Sequence, residues 1–411
     1  MPRPPIRSRA SGQPRGTFAA LRVPAFRMFL IGQAVSLPGT WMQTVAQGWL
    51  VLQLTGSGTL LGAVTAAQYV PVLLLAPWGG VLADRHPRRL LLMGTQTLMA
   101  GCALTLGLLT VTGLVTVPWL FVVAIVFGCA TAVDNPTRQS FVLEMVGPDL
   151  VRNAVSLNSA LLNSARAVGP AIAGVIIVAI GPGWCFLINA VSFIAIVLGL
   201  ARMRLRPVKR TPAGSSPLRQ LREGLQHVLG ERELLWPTLG IFVVGCLAWE
   251  FPITLPLLAS GTFHGDARTY GWLTSAMGLG AVLGALAVAG RGTTGLRPIA
   301  RSAAVFGIAM IVLAAAPTLL LAVVALIGVG WGGASFLSIS NATIQLASAE
   351  EYRGRVMAMW SLCFIGSTPI GSPIIGVIGE HLSPRWAIAT GAAACLATGC
   401  ALALVGRKER H

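Results

Sequence analysis

Charged residues are scarce in this chain, and acidic residues are the scarcest. Only 10% of the 411 residues are charged and 13 are acidic, while 55% are hydrophobic and the mean hydropathy is +0.75. Soluble domains of this length carry far more charge, so the composition excludes that class. The seven cysteines fall in apolar segments without metal-ligand spacing, which argues against both disulfides and a metal site.

Long polar segments are also rare, because the sequence divides into twelve apolar runs of roughly 20 residues, the length that crosses a bilayer. The first six predicted spans are 26–54, 59–83, 90–111, 117–135, 156–180 and 183–201. The second six are 235–258, 271–289, 299–315, 318–340, 356–380 and 385–405. The sequence therefore predicts an all-α integral membrane protein with six-helix halves at 26–201 and 235–405, tails at 1–25 and 406–411, and a linker at 202–234.

Basic residues lie almost entirely on one side of these spans. Of the 30 Lys and Arg residues, 27 fall in the tails and in the connections on the same side, two (Arg268 and Arg385) fall on the other side, and Arg166 falls inside a span. The positive-inside rule then predicts a multi-pass cell-membrane protein with both termini cytoplasmic. The net charge of +17 is divided among separate loops, so we expect membrane lipid rather than nucleic acid as a partner.

The linker fits two interpretations. Apolar residues at helical spacing favour a surface amphipathic helix over 216–233, and a flexible soluble linker explains the composition equally well. These apolar residues are Leu218, Leu221, Leu225, Val228 and Leu229.

The two halves repeat each other weakly. Asn135 aligns with Asn341, Gly169 with Gly371, and Gly174 with Gly376. An internal duplication of this kind suits a central site that is exposed alternately to each side of the membrane.

The segment GVLADRHPRR, residues 80–89, follows the second span and resembles the GxxxDRxxRR signature of the major facilitator superfamily. A glycine there lets helices approach closely, and Asp84 can accept hydrogen bonds from the start of a neighbouring helix. The resemblance implies a cytoplasmic gate that stabilises the outward-open state, with Asp134 as the acidic partner at the inner end of span four. A cluster that only sets topology is the alternative. The gate residues would be Gly80, Asp84, Arg85, Arg88, Arg89, Asp134 and Arg138.

Span five contains SARAVGPAIAG, which is similar to the GPxxGG element of exporters in the superfamily. The matching residues are Gly169, Pro170 and Gly174, and Ala173 stands where a glycine is usual. A bias toward export and ordinary tight packing both explain such an element.

Two charged residues lie well inside predicted spans, away from the span ends. Glu250 is the only acid well inside one, and Pro252 and Pro256 interrupt the helix beside it. Because a buried carboxyl group resists charging, Glu250 can exchange protons, and we predict that it couples transport to protons; a structural hydrogen bond is the alternative. Arg166 would cost about 2.5 kcal/mol or more without a partner, which fits either a transport pathway or snorkelling to the inner interface.

Polar residues recur every three or four positions along the first span and form one stripe. They are Gln33, Ser36, Thr40, Gln43, Thr44 and Gln47. The stripe predicts either a lining of the transport pathway or interhelical hydrogen bonds. Gln68, Tyr69 and Trp249 are further candidates for the lining.

The resemblance covers nearly the whole chain. The phrases WMQTVAQGWLVLQLTGS, DNPTRQSF and NSARAVGPAIAG resemble the efflux branch that includes the enterobactin exporter. The resemblance implies the twelve-helix major facilitator fold and a secondary active transporter, with proton-coupled export of a siderophore, drug or secondary metabolite.

Other functions fit the sequence less well. A proton-coupled importer of a nutrient is the alternative. A membrane sensor or enzyme is remote, because no catalytic constellation is present. We expect a monomer with no cofactor and the proton gradient as its energy source.

Overall fold

The computed structural model describes residues 18–203 and 217–408. A short 3-10 turn, Ala19–Arg22, precedes thirteen α-helices. The N-terminal helices are α1 Pro24–Thr55, α2 Gly58–Arg85, α3 Arg88–Val111, α4 Val117–Ile180 and α5 Pro182–Arg202. The others are α6 Pro217–Gly230, α7 Arg232–Ala248, α8 Phe251–Leu257, α9 Ala267–Arg291, α10 Leu296–Ala314, α11 Leu319–Ala347, α12 Arg353–His381 and α13 Pro384–Lys408. A π-helical turn, Leu258–Thr262, follows α8.

The helices form the predicted bundle of twelve membrane spans. Ten helical segments in the described part of the chain are long and apolar enough to cross a membrane, and α7, α8 and the π-turn make one of them. The 64-residue α4 supplies two spans, because the chain bends at Gly147, where φ is 72°. Helix α1 has 32 residues and is less apolar because of its polar stripe, but it packs along α4 and α5 as a further span.

The predicted loop between spans four and five was wrong, because α4 is helical on both sides of Gly147. Buried residues explain the longer helix: Phe141, Val142 and Met145 continue its packing stripe beyond the predicted end of span four and contact Phe26 and Phe29 of α1. Because tertiary packing of an apolar face stabilises a helix, α4 continues beyond the edge of the hydrocarbon for as long as that face is covered.

Helix α6 lies where the amphipathic interpretation of the linker placed it. Val228 is buried, Gly224 lies against the backbone of Arg355 in α12, and Arg355 Nη1 pairs with Glu223 Oε2 at 3.2 Å. The second part of the linker is therefore a helix docked on the C-terminal helices. Residues 204–216 and the side chain of Leu218 lie outside the described part of the chain.

The end that carries the Arg-rich connections is called the basic end, and the opposite end is called the far end. Helices α1 to α5 make the N-terminal half and α7 to α13 make the C-terminal half.

Candidate transport pathway

Small residues bring α2 and α12 together at the far end, where the two halves meet. A Cβ atom at Gly62 would lie 2.3 Å from the Ser372 carbonyl oxygen, and one at Gly376 would lie 2.4 Å from the Gly58 carbonyl oxygen. Gly58 and Gly62 are four residues apart and so share one helix face, the spacing of close helix pairs in membranes. We call this contact the far-end seam. It leaves no room for a side chain at Gly58 or Gly62 of α2.

An acidic residue ties the same two helices together at their ends. Glu380 Oε2, at the end of α12, accepts hydrogen bonds of 2.7 Å from Ser57 Oγ and 2.7 Å from the Thr59 amide. Ser57 is the N-cap of α2, so the carboxylate lies at the positive end of that helix. We call this contact the Glu380 clasp. Sequence reasoning missed this contact; the scarcity of acids could have drawn attention to Glu380 but not to its partners on α2.

The glycine-proline element of α4 forms a second contact between the halves. A Cβ atom at Gly271 of α9 would lie 2.6 Å from the Pro170 carbonyl oxygen, and one at Gly174 would lie 3.0 Å from the Ala267 carbonyl oxygen. Gly169 instead faces α1, where a Cβ atom at this position would lie 2.6 Å from Trp41 Cβ. The element therefore packs tightly, and it does so where the halves must separate for the far end to open.

At the basic end, the predicted gate residues of the α2–α3 connection lie within the N-terminal half. Arg88 Nη1 pairs with Glu144 Oε2 at 3.1 Å, and Arg88 Nη2 lies 3.5 Å from Asp84 Oδ1. Asp84 has 42% of its side chain exposed, and Arg85 is exposed. Each ion pair that the structure describes at this end joins two residues of the same half or its adjoining linker helix.

The remaining arginine of the signature, Arg89, donates a hydrogen bond to the carbonyl oxygen of Ala201 at the end of α5. That contact also stays inside the N-terminal half. Across the described residues, then, the signature makes no ion pair with the C-terminal half while the far end is closed.

Asp134 does not partner the loop cluster, so that expectation was wrong. Its side chain is fully buried, accepts hydrogen bonds of 2.8 Å each from Thr95 Oγ1 and Gln96 Nε2 of α3, and pairs with Arg138 one turn away. The acid of α4 that pairs with Arg88 is Glu144 instead. It lies about 15 Å further along α4 toward the basic end, which brings it level with the connection that carries Arg88.

The expectation that Gly80 permits close helix approach was also wrong. A Cβ atom at Gly80 would meet nothing within 4 Å, whereas one at Gly79 would lie 2.3 Å from the Ala132 carbonyl oxygen of α4. Adjacent helical residues point about 100° apart, so only one of the two glycines can face α4. Gly79 therefore makes the close approach in this state.

Two residues of the polar stripe on α1 are engaged in hydrogen bonds within the N-terminal half. Gln43 Oε1 accepts from Asn189 Nδ2 of α5 at 2.7 Å, and Gln33 Oε1 accepts from Arg138 Nη1 of α4 at 3.4 Å. Both glutamines are buried. For these two positions the structure favours interhelical hydrogen bonds over a pathway lining.

Of the other stripe residues, Ser36 is buried, while Thr40, Thr44 and Gln47 are partly exposed. Gln47 Nε2 faces Gln68 Oε1 of α2 at 3.5 Å, and Thr40 Oγ1 donates to the Ser36 carbonyl of its own helix at 3.1 Å. Thr40, Gln47 and Gln68 therefore keep polar atoms available to a pathway along α1 and α2.

Glu250 lies at the break between α7 and α8, which follows from the prolines beside it. The residue is buried, Oε2 accepts a 2.6 Å hydrogen bond from Ser372 Oγ, and the side chain of Thr368, one turn earlier in α12, also lies near the carboxyl group. Ser372 is the residue whose carbonyl oxygen faces Gly62 in the far-end seam. The acid is thus joined through one side chain to the contact that closes the far end.

Arg166 lies at the middle of the bundle. Its guanidinium carbon is 4.9 Å from the ring centre of Trp41, and its Nε is buried without a hydrogen-bond partner. Both residues are about 25 Å along their helices from the basic end. The side chain thus lies across the bundle against Trp41, which argues against snorkelling. Tyr69 of α2 is within electrostatic range of both Arg166 and Glu250.

Trp249 joins an aromatic cluster of the C-terminal half. Its ring centre lies 5.6 Å from Phe364, 5.8 Å from Phe306 and 6.0 Å from Phe251. The side chain is also partly exposed, so a pathway role for Trp249 stays a prediction.

Comparison with characterised proteins identifies the family. A family model described as a transmembrane secretion effector matches residues 15–409. The staphyloferrin A transporter of Staphylococcus aureus is 26% identical over 255 residues, covering 60% of this chain and 62% of that relative. The multidrug efflux pump Tap of Mycobacterium tuberculosis is 28% identical over 378 residues (88% of this chain and 89% of Tap). The enterobactin exporter EntS of Shigella boydii is 25% identical over 399 residues, or 93% and 90%.

Solved structures share the fold at low sequence identity. The nucleoside transporter NupG has a TM-score of 0.75 at 14% identity, covering 92% of this chain and 98% of NupG. A bacterial homologue of the lysosomal transporter Spinster, inward-facing and unoccupied, has a TM-score of 0.71 at 13% identity, covering 93% and 95%. With the family match over nearly the entire sequence, these findings show that the chain belongs to the transmembrane secretion effector family, a branch of the major facilitator superfamily of secondary transporters.

Proposed function

We propose that this protein is a proton-coupled exporter that moves a small amphipathic organic molecule out of the cell by alternating access. The observation that carries the proposal is the buried acid Glu250, which is hydrogen-bonded through Oε2 to Ser372 of the far-end seam and makes no ion pair with any described residue. Relatives named as transporters of staphyloferrin A, of multiple drugs and of enterobactin support export of a siderophore, drug or related metabolite.

The protein works as a monomer in the cell membrane. Both termini are cytoplasmic, because the 27 basic residues on one side of the spans favour that orientation. It has no catalytic role and binds no nucleic acid or cofactor. The proton gradient supplies the energy. The basic end then faces the cytoplasm, and a closed far end means that the pathway is shut toward the outside.

Glu250 couples protons to this closure through Ser372. A charged carboxylate accepts the Ser372 hydroxyl strongly, while a protonated carboxyl is a weaker acceptor and has a proton of its own to donate. Because the Ser372 carbonyl oxygen packs against Gly62, a change in the protonation of Glu250 alters the stability of the far-end seam. Proton binding and the open or closed state of the far end are therefore linked, as antiport requires.

The signature cluster acts at the opposite end of the bundle. Asp84 and Arg85 are exposed and Arg88 is held within its own half while the far end is closed. These residues bind the C-terminal half when the basic end closes, which stabilises the outward-open state. The cargo passes between the two ends along Thr40, Gln47, Gln68, Tyr69, Arg166 and Trp249.

The coupling role of Glu250 can be tested in proteoliposomes. We expect Glu250→Gln to abolish cargo movement driven by an imposed pH gradient while leaving exchange of cargo across the membrane intact, since exchange needs no net proton transfer. Glu233→Gln is the matched control, because Glu233 is an exposed acid at the start of α7. Proton release driven by cargo in the Glu250→Gln protein would contradict the role, and proton-coupled accumulation of cargo in the direction of import would contradict export.

A further inference from the structure

Arg166 is a partly buried cation inside the membrane-spanning bundle, and no acid of the described chain pairs with it. Its contact within the protein is the face of Trp41 at 4.9 Å, and Nε has no hydrogen-bond partner. None of the ion pairs that the structure describes includes it. A ring face attracts a cation, but it supplies no lone pair for the N–H groups of a guanidinium.

Among the described residues, the buried acid Glu250 forms no ion pair with Arg166. Glu250 directs Oε2 to Ser372 of α12, and the Tyr69 hydroxyl group lies within range of both charged residues. A tyrosine hydroxyl is neutral at physiological pH, so it does not balance the charge. Buried cations in membrane proteins occur with a partner or in contact with a water-filled cavity, and Arg166 keeps part of its surface exposed.

Helices pack closely around Arg166. Gly169, about one helical turn from Arg166 along α4, brings that helix close to Trp41 of α1, and Gly278 of α9 lies against the backbone of Arg166 and Ala167. The site therefore lies where α1 and α4 of the N-terminal half meet α9 of the C-terminal half. It combines five N–H donors in a planar fork with an adjoining aromatic face.

We propose that Arg166 and Trp41 form the anion subsite of the transport pathway, and that the cargo carries a carboxylate or similar oxyanion on an apolar or aromatic body. This inference rests on the proposed function. The guanidinium fork binds the oxyanion, and Trp41 contacts the part of the cargo next to it. Glu250 stays free to exchange protons, because the cargo's own charge, rather than Glu250, neutralises Arg166.

The test uses the full-length protein in proteoliposomes with a pH gradient and a panel of fluorescent compounds. Each aromatic or alkyl body is supplied as a carboxylate, as its uncharged amide and as a quaternary ammonium analogue. We expect the carboxylates to move at least tenfold faster than the other two members of each set. Arg166→Gln removes this preference, and Arg166→Lys retains part of it because the charge is kept while the fork is lost.

Two controls separate a lost subsite from a misfolded protein. Arg268→Gln removes an exposed arginine at the far end and leaves the preference unchanged. Trp41→Phe keeps an aromatic face and transports carboxylates better than Trp41→Ala. Each variant is first checked for a single symmetric peak in size-exclusion chromatography.

The outcomes distinguish this inference from the proposed function. Proton-driven movement of ammonium or amide compounds at the rate of the carboxylates would overturn the anion subsite and leave the transporter assignment standing. Unchanged carboxylate transport by Arg166→Gln would do the same. Absence of proton-linked movement for every member of the panel would overturn the proposed function itself.

Discussion

A single methyl group at Gly62 should shift the balance between the two states of the bundle. In the far-closed state the added Cβ of Gly62→Ala would lie 2.3 Å from the Ser372 carbonyl oxygen, whereas ordinary contacts are longer by roughly 1 Å. Overpacking of this kind costs about 1–3 kcal/mol, and the cost falls only on the state in which the far-end seam is formed. We therefore expect the ratio of far-open to far-closed molecules to rise about 5- to 150-fold.

Gly80→Ala is the matched control for this change. Both glycines lie in α2, and both substitutions gain the same helix propensity, of roughly 1 kcal/mol. A Cβ atom at Gly80 meets nothing within 4 Å, so only the clash differs between the two variants. Any difference between them therefore measures the seam.

Hydrogen exchange followed by mass spectrometry measures this change in the ratio of far-open to far-closed molecules. We expect amides in 57–66 and 368–380, the segments that form the far-end seam, to exchange faster in Gly62→Ala than in Gly80→Ala, because opening the seam exposes them. Exchange in α10, which packs in the C-terminal half on α11 and α13, should stay the same. Equal exchange of the seam segments in the two variants would refute the claim that close packing at Gly62 holds the far end shut.

Two further substitutions test contacts at the two ends of the bundle. Glu380→Gln removes the charge of the clasp, so the far-end segments should exchange faster, whereas Glu351→Gln, an exposed acid at the basic end, should leave exchange unchanged; the same exchange in both variants would argue against the clasp. Glu144→Gln should lower the free energy of unfolding by about 1 kcal/mol, because it removes the shorter ion pair of Arg88, while the effect of Asp84→Asn, at an exposed carboxylate, should be smaller. Melting temperatures in detergent measure this order, and the reverse order would contradict the pairing.

The spans were predictable from the sequence because membrane length and apolar composition act locally. The polar stripe of α1 is a period that one helix carries by itself, and Pro252 marked the break beside Glu250. The bend at Gly147 was not predicted, since burial of Phe141 and Met145 against other helices kept α4 helical past the expected end of span four. Tertiary packing decided that boundary.

The site was predicted less completely, because its contacts depend on which face of a helix meets which neighbour. A one-residue difference separates Gly79, which touches α4, from Gly80, which does not. The acid that pairs with Arg88 is Glu144 rather than Asp134, and spacing along α4 alone could not assign it.

The Glu380 clasp joins residues more than 300 positions apart, so no local pattern could reveal it. The glycine-proline element shows the opposite case. Its sequence suggested either tight packing or a transport bias; the structure shows the tight packing of α4 against α9, and the transport bias stays a prediction.

The sign of the coupling tests the central claim most directly. Wild-type protein in liposomes that hold a pH-sensitive dye receives a gradient of its cargo and no initial pH difference. We predict that protons move opposite to the cargo, and that Glu250→Gln abolishes this movement, because the buried acid that alternates between the two sides carries the proton. Protons that move in the same direction as the cargo, or cargo movement with no proton flux, would contradict proton-coupled export.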